Sequence, residues 1–272
     1  MKPTLYAMDT HFMCDPASPS VEDQAACVKA AGYDDFYVTS DLETPEKSLD
    51  YARASQAAGL GFNAVYMRLD ASVTPREHHL NLFRQMLEGI RPPTRVEFSV
   101  WHGAFDEKTG DPSADPGALR WLRFLLPSLE ERGIRACLYP HFGFSLETMG
   151  DALRLLEALP HELLGAVFCG YHWYRVDRTP VRELLASVGD RLFAVNLSGS
   201  SFVGPGREIN GLDPLIQPLD EGDLDNADVV AALREFGYAG PVGVQGYGVT
   251  APAREALIRS ATALRRWLAT ST

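Results

Sequence analysis

The sequence lacks several features that mark common classes of protein. It has no apolar run near the roughly 20 residues that a membrane span needs. Its first residues, MKPTLYAMD, lack the long apolar stretch of a signal peptide. No Gly-x-Gly-x-x-Gly motif follows the first apolar run, which removes the best support for a dinucleotide-binding fold. We therefore expect a cytoplasmic protein that neither enters a membrane nor binds a dinucleotide in that way.

Cysteine and positive charge are also scarce. The four cysteines, Cys14, Cys27, Cys137 and Cys169, form no Cys-x-x-Cys pair and no zinc-site spacing, so we expect reduced thiols. The net charge of -11 repels nucleic-acid phosphates and anionic lipid. We therefore expect a small-molecule carbohydrate as the partner and no nucleic acid or membrane, and a homodimer is left open.

One pattern repeats along the chain: a short apolar run, a polar loop and an amphipathic helical stretch. The runs are LYAMD, DFYVTS, FNAVYMRL, VEFSVW, RACLYPH, GAVFCGYH, LFAVNLS and PVGVQGY. Eight units in 272 residues give 34 residues per unit, a suitable length for one strand–helix pair. The pattern predicts a parallel sheet covered by helices, closed as a single (β/α)8 TIM barrel, with residues 1–272 as one domain. An open doubly wound sheet is the alternative.

The predicted helices carry recognisable end signals. Four sites resemble an N-cap followed by proline at the first helical position: Thr44-Pro45, Thr74-Pro75, Asp115-Pro116 and Thr179-Pro180. Four helices are expected to stop at glycine: Gly32, Gly59, Gly133 and Gly237. The acidic stretch DEGDLDNAD has its glycine third rather than sixth, which excludes an EF-hand, so we expect Asp225 to cap a helix there.

Polar and aromatic residues follow the predicted strands, where a TIM barrel places its active site. Four histidines fall at strand ends, His11, His102, His141 and His172, and we expect at least two of them to be functional. The other three, His78, His79 and His161, are expected on solvated surfaces. Six aromatic residues reach the same rim: Trp101, Tyr139, Phe142, Trp173, Tyr174 and Tyr247. Flat apolar faces beside hydrogen-bonding groups suit sugar rings, and we expect about half of the six to line the pocket.

Two long segments resemble the xylose isomerase-like TIM barrels, which include sugar isomerases, sugar epimerases and AP-endonuclease-type enzymes. They are VEDQAACVKAAGYDDFYV and DEGDLDNADVVAALREFGYAGPVGVQGYG, and the resemblance covers nearly the whole chain. It implies one divalent metal held by Glu, Asp, His and Glu on strands five to eight, with the glutamates moving protons. At those positions this chain has Tyr139, Cys169, Asn196 and Gln245.

All four implied metal ligands are thus replaced by residues that can still form hydrogen bonds. The loss of every carboxylate disfavours a hard divalent cation. No cofactor is assigned. A metal at His141, His172 and Gln245, with His102 as a further ligand, is left open and is less favoured than in typical members of the family. The strand-six motif keeps His172, which in the family commonly contacts substrate.

The leading hypothesis is an isomerase- or epimerase-like enzyme that moves a proton on a sugar, keto-sugar or polyol. His141 and His172 would be the acid and base, because no glutamate remains at the expected positions. The substrate-binding residues would be Tyr139, Asn196, Gln245, His102, Trp173, Arg68 and Tyr247, and Arg68 or Arg175 could neutralise an enediolate or a phosphate. Two alternatives stay open: a lyase or hydrolase acting on an oxidised (keto) glycoside, and a non-catalytic sugar-binding barrel. DNA repair is disfavoured by the net charge and by the missing zinc ligands.

Overall fold

Eight parallel strands close into a barrel in the computed structural model, which describes residues 3–103, 108–204, 211 and 213–269. The barrel strands pair in chain order, and the last pairs with the first. They are β1 (Leu5–Met8), β2 (Asp35–Thr39), β3 (Gly61–Asp70), β4 (Arg95–Trp101), β5 (Ala136–Leu138), β6 (Leu164–Cys169), β7 (Leu192–Leu197) and β10 (Val242–Val244). The closed barrel confirms the predicted (β/α)8 fold.

A two-stranded antiparallel sheet that the sequence pattern did not predict lies between β7 and β10. It pairs β8 (Gly199–Ser201) with β9 (Leu215–Gln217). Each strand has only three residues, which is too short for an alternating pattern to be recognised. The Ser200 carbonyl anchors the sheet by accepting the backbone N–H groups of Asp223 and Leu224. The sheet places Ile216 at the barrel mouth.

Helices cover the outside of the barrel and bury their apolar faces against it. They are α1 (Val21–Ala30), α2 (Pro45–Ala57), α3 (Glu77–Met86), α4 (Asp115–Glu130), α5 (Met149–Ala158), the short turn α6 (Gly170–His172), α7 (Val181–Val188), α8 (Asn226–Glu235) and α9 (Ala253–Ala269). Within the described ranges, none of these helices is long and apolar enough to cross a membrane.

Most of the helix ends follow the predicted signals. Gly32, Gly59, Gly133 and Gly237 have φ of 87°, 69°, 63° and 76°, the left-handed conformation that ends a helix. Asp225 caps α8, because its side chain accepts the backbone N–H of Asp228 at 3.0 Å. All four cysteines are free thiols, as expected.

Three predicted helix starts are displaced by one or two residues. Thr74-Pro75 is wrong as the start of α3, because the helix begins at Glu77. His79 there accepts the backbone N–H of Arg76 through Nδ1 at 3.0 Å, so the imidazole caps the chain two residues later than predicted. The other two signals lie one residue off: α4 begins at Asp115 itself, and α7 follows Pro180.

A buried ion pair fills the lower part of the barrel lumen. Arg95 and Glu97 are 3% and 0% exposed. Arg95 Nε donates to Glu97 Oε1 at 2.7 Å, and Arg95 Nη1 donates to Asn63 Oδ1 at 2.6 Å. The other oxygen of Glu97 accepts the hydroxyl of Tyr37 at 2.8 Å. Because each charge has a partner, the lumen can hold both despite the high cost of removing ions from water.

We expect Arg95→Met to destabilise the protein by about 3–5 kcal/mol, because it leaves Glu97 buried without its cation. Urea unfolding followed by circular dichroism measures the change. Arg135→Met is the matched control, since Arg135 lies exposed over the ring of Phe193. A loss in Arg95→Met no larger than in Arg135→Met would show that the pair does not support the barrel.

Candidate active site

A cavity of about 430 Å³ opens at the carboxyl ends of the barrel strands. Strands β1, β2 and β3 contribute residues to its wall, the segments that follow β1, β5, β6 and β10 contribute most of the others, and the small β8–β9 sheet adds one residue. The lining residues are Met8, Thr10, Met13, Thr39, Tyr66, Arg68, Tyr139, His141, Phe142, Phe144, Tyr171, His172, Ile216, Gln245 and Tyr247. The wall is therefore largely aromatic and apolar, with a few polar groups that converge on it.

A tight turn after β5 presents His141 and two aromatic rings to this cavity. The backbone N–H of His141 donates to the Leu146 carbonyl at 2.9 Å, and that of Phe144 donates back to the His141 carbonyl at 3.1 Å. Gly143 has a φ of 75°, a conformation that favours glycine and lets the chain reverse here. The ring of His141 then stacks on that of Phe144, with the centroids 4.2 Å apart.

His172 reaches the same wall from the end of β6. The strand stops at Cys169, and the chain continues as α6 and then as a π-helical turn over Trp173–Asp177. This change of direction buries His172, which is 4% exposed, against His141. The two ring centroids lie 4.0 Å apart, so the imidazoles stand side by side and not on opposite sides of the cavity.

The backbone of Phe142 gives the two imidazoles opposite tautomers. Its carbonyl can only accept, so His141 Nδ1, 2.8 Å away, must carry a proton and leave Nε2 with a free lone pair. Its N–H can only donate, at 3.4 Å, so His172 Nδ1 is unprotonated and the proton lies on Nε2. One backbone unit thus prepares one imidazole to accept a proton at Nε2 and the other to donate there.

Burial keeps both imidazoles neutral. It lowers the pKa of His141 to about 4, although the hydrogen bond to the Phe142 carbonyl raises this pKa in part. The pKa of His172 lies well below its usual value, because of burial and of the neighbouring His141 and Arg175. At neutral pH neither ring carries a charge, so the tautomers set by Phe142 decide what each ring can do.

The four positions that the family resemblance assigns to metal ligands hold neutral side chains, and three of these are joined by hydrogen bonds. Tyr139 OH donates to Cys169 Sγ at 3.2 Å, and Gln245 Nε2 donates to the same sulfur at 3.6 Å. Burial raises the pKa of Cys169 to about 11, and that of Tyr139 well above its usual value. Asn196 lies lower in the lumen, where Oδ1 accepts the hydroxyl of Tyr6.

This donor set does not fit a hard divalent cation. Such ions need anionic oxygen ligands, whereas here the side-chain amide of Gln245 turns its N–H toward sulfur and the tyrosine and cysteine are protonated. In the described part of the chain, no three His, Cys, Asp or Glu side chains come together as a metal-binding group. We therefore derive no step of the chemistry through a metal.

The structure brings together most of the residues predicted from the sequence and leaves three aside. Tyr139, Gln245, Arg68 and Tyr247 line the cavity with the two histidines, and Arg68 lies 3.3 Å from Asp41. Three others do not line it: His102, Trp173 and Asn196. Trp173 turns toward the helix layer, where Nε1 donates to the Thr179 carbonyl at 2.7 Å. Asn196 is fully buried in β7, where it is paired in register with Cys169.

The remaining predictions about rim residues divide in a similar way. Of the six rim aromatics, three line the cavity: Tyr139, Phe142 and Tyr247. His11 lies behind the wall, where its ring touches Gly246 so closely that a Cβ there would be 2.3 Å from His11 Cδ2. Burial lowers the pKa of His11 to about 4. These contacts make His11 a packing residue under the end of β10.

Sequence reasoning missed several lining residues, namely Met8, Thr10, Met13, Thr39, Tyr66, Phe144, Tyr171 and Ile216. Thr39 and Tyr66 carried a usable signal, because inward positions alternate along β2 and β3. Thr10 and Met13 lie beyond the end of β1, and Ile216 belongs to the unpredicted β9. For these three residues no periodic pattern was available.

We expect the native protein to show no increase in melting temperature with millimolar Mn²⁺ or Mg²⁺. The double variant Cys169→Asp/Gln245→Glu returns two of the carboxylates that the family uses, and its melting temperature should rise with Mn²⁺ because only the folded site binds the ion. Differential scanning fluorimetry after chelation measures both. A saturable Mn²⁺ shift in the native protein, with tight metal retention by elemental analysis, would contradict our assignment of a neutral site.

Comparison with known proteins agrees with this barrel. The sequence profile of the xylose isomerase-like TIM barrel family matches residues 28–267. No curated protein sequence matches the chain. The fold is similar to 3-keto-D-glucoside 4-epimerase from E. coli (TM-score 0.73, 17% identity, 97% of this chain and 100% of that one).

Two further solved structures have the same fold. They are D-allulose 3-epimerase from Methylomonas sp. in complex with D-allulose (TM-score 0.70, 14% identity, 97% and 96% of the two chains) and a probable 3-DHS dehydratase from Bacillus anthracis (TM-score 0.74, 14% identity, 97% and 99%). At these identities the likeness shows the fold alone. The profile covers most of the chain, and this protein belongs to the xylose isomerase-like TIM barrel family.

Proposed function

We propose that this protein is an enzyme that moves a proton beside the carbonyl group of a sugar, with isomerisation as the reaction. The observation that carries the proposal is the opposite hydrogen bonding of His141 and His172 to the backbone of one residue, Phe142. Two proteins of similar fold are sugar epimerases, and this supports a carbohydrate substrate.

His141 acts as the base in this proposal. Its Nε2 lone pair faces no competing proton at neutral pH, because burial holds the pKa near 4. That value is close to the ordinary pKa of a glutamate, about 4.3. The half-buried imidazole of His141 thus has the basicity that the related enzymes obtain from a carboxylate, and it does so without placing a negative charge in the cavity.

His172 polarises the carbonyl group. Its Nε2–H donates to the carbonyl oxygen, and this bond strengthens as negative charge develops on that oxygen in the enediolate. A neutral imidazole suits this task, because its pKa as a donor is closer to that of an enediol than the pKa of an imidazolium would be. The ring is held in place by Tyr139, whose own ring lies edge-on with its centroid 5.7 Å away.

The side-by-side arrangement favours isomerisation over epimerisation. His141 takes a proton from the carbon next to the carbonyl, and the C–H electrons form the enediolate double bond. The same imidazole returns the proton to the former carbonyl carbon, while the hydroxyl proton passes between the two oxygens. Inversion by a two-base route needs a second base across the cavity, and the described lining residues include no carboxylate and no third imidazole.

The rest of the cavity suits a sugar ring. Phe142, Phe144 and Tyr247 offer apolar faces for the C–H groups of the ring, and Arg68 and Gln245 offer donors for its hydroxyl groups. Pocket walls that combine mostly apolar area with a few fixed polar groups are typical of small-molecule sites.

A second candidate is a lyase acting on a keto glycoside. The same pair, a base beside a carbonyl-polarising N–H, removes the proton next to the carbonyl, and the enolate can expel a leaving group on the following carbon. This elimination needs a base on only one face of the substrate, as isomerisation does, because no proton is added from the opposite face. The similar fold of a 3-keto-D-glucoside epimerase supports testing it.

We expect His141→Gln to lower kcat by about a hundredfold or more, because the amide has no basic lone pair while it keeps a similar shape. His172→Gln should lower kcat to a comparable degree. The assay follows turnover of ketohexoses, aldohexoses and 3-keto glycosides by chromatography, and release of the aglycone identifies the lyase. His161→Gln is the matched control, since His161 lies in a connection far from the cavity. Full activity in both cavity variants would refute the proposal.

We expect kcat/KM to stay level from about pH 8 down to about pH 5, and to fall only as His141 protonates near pH 4. Activity falls on the acidic side because His141 must be unprotonated to act as a base, and it falls only at low pH because burial lowers the pKa of His141. Nitrogen-15 NMR at neutral pH should show His141 protonated at Nδ1 and His172 at Nε2. An activity loss centred near the ordinary histidine pKa of about 6.5 would contradict the assignment.

A further inference from the structure

Two neighbouring polar atoms beside the histidine pair are buried and make no hydrogen bond of normal geometry with the residues that the structure describes, although the two groups lie close enough for Arg175 to lower the pKa of Tyr171 through a weak side-chain hydrogen bond. They are the hydroxyl of Tyr171 and Nη1 of Arg175. Tyr171 is 1% exposed, and it lines the cavity next to His172, with the ring centroids 5.1 Å apart. Folded proteins rarely leave such groups unpaired, because each loses its bonds to water on burial. Beyond this weak contact with each other, both donors have bonding capacity left for an acceptor from a bound molecule.

The local structure holds Arg175 in this position. It lies in the π-helical turn Trp173–Asp177, and turns of this kind often occur at functional sites. Asp177 secures the end of the turn by accepting the backbone N–H of Met149 at 3.2 Å. The guanidinium carbon of Arg175 lies 4.0 Å above the ring centroid of Phe142, the residue whose backbone sets the histidine tautomers.

Arg175 also differs from the other arginine at the cavity. Arg68 lies 3.3 Å from Asp41, so its charge is already partly balanced. Among the described residues, no carboxylate lies within ion-pair distance of Arg175. The charge of Arg175 acts on both neighbours, since it lowers the pKa of Tyr171 against the effect of burial and lowers that of His172. Within the described ranges, the positive charge beside the site thus has no anionic partner.

We infer that Arg175 and Tyr171 form a subsite for an anionic group, a carboxylate or a phosphate, on the substrate of the histidine pair. The guanidinium would donate to one oxygen from Nη1, and the phenol would donate to the same or a second oxygen. The subsite rests on the proposed function for its substrate, and it adds the substrate class: an acidic or phosphorylated sugar.

The test uses inorganic phosphate and acetate as probes. Side-chain NMR signals of Arg175 and of Tyr171 are followed in nitrogen-15- and ring-labelled protein as each anion is added. We expect a saturable shift with at least one anion. The affinity for that anion should fall about tenfold or more in Arg175→Met, because a hydrogen bond to a charged group contributes that much to binding. Tyr171→Phe should weaken it less. The anion that binds more tightly shows whether a carboxylate or a phosphate is the natural group.

Arg178→Met is the matched control, because Arg178 carries the same charge three residues later but lies exposed, over the ring of Phe202. It should bind the anions as the native protein does. Arg175→Met should fold and melt no lower than native, since it removes a cation without an anionic partner. The inference is overturned if neither anion produces a saturable shift, or if Arg175→Met binds them as tightly as the Arg178→Met control.

The two proposals fail separately. If the histidine variants lose activity while anion binding is unaffected by Arg175→Met, the function stands and the subsite is wrong. If Arg175→Met loses the anion while His141→Gln and His172→Gln keep full activity, the subsite stands as a binding site and the proton-transfer proposal is wrong.

Discussion

Water is excluded from the lumen of a closed barrel, and the resulting cost of burying charge governs which side chains this protein can place there. In the lower lumen the cost is met by pairing, as Arg95 and Glu97 neutralise each other. In the upper lumen this cost does not arise, because Tyr139, Cys169 and Gln245 carry no charge and are joined by hydrogen bonds. Both solutions follow from the same constraint, and the candidate active site lies directly above them.

The same constraint turns two histidines into an unusual pair. Burial removes their charge, and a neutral imidazole has two different nitrogens, so the chemistry depends on which nitrogen holds the proton. That choice is made by Phe142, a residue whose side chain has no catalytic chemistry and whose backbone offers one N–H donor and one carbonyl acceptor. The proposed proton transfer depends on this control of the tautomers, at a barrel mouth whose wall is largely aromatic and apolar.

The relation to other barrels follows from this difference between scaffold and site. Solved structures with 14–17% identity overlay nearly the whole chain, because eight strand–helix units can close in the same way with many sequences. The positions at the strand ends are free of that packing requirement. Side chains such as Tyr139, Cys169, Asn196 and Gln245 can therefore stand at these positions while the barrel remains closed.

The sequence alone was sufficient for the barrel and for the position of its mouth. Apolar runs at regular spacing and glycine stops such as Gly59 and Gly237 act locally, so their effects can be recognised without coordinates. Predicting His141 and His172 as a pair also succeeded in placing both at the cavity, although His102, Trp173 and Asn196 lie outside it. Only the tertiary structure decided which strand-end residues meet, which backbone group lies beside each imidazole nitrogen, and that, among the described residues, the Tyr171 hydroxyl and Arg175 Nη1 make no hydrogen bond of normal geometry. These properties depend on distances of a few tenths of an ångström between groups from different strands, and no pattern along the chain encodes such distances.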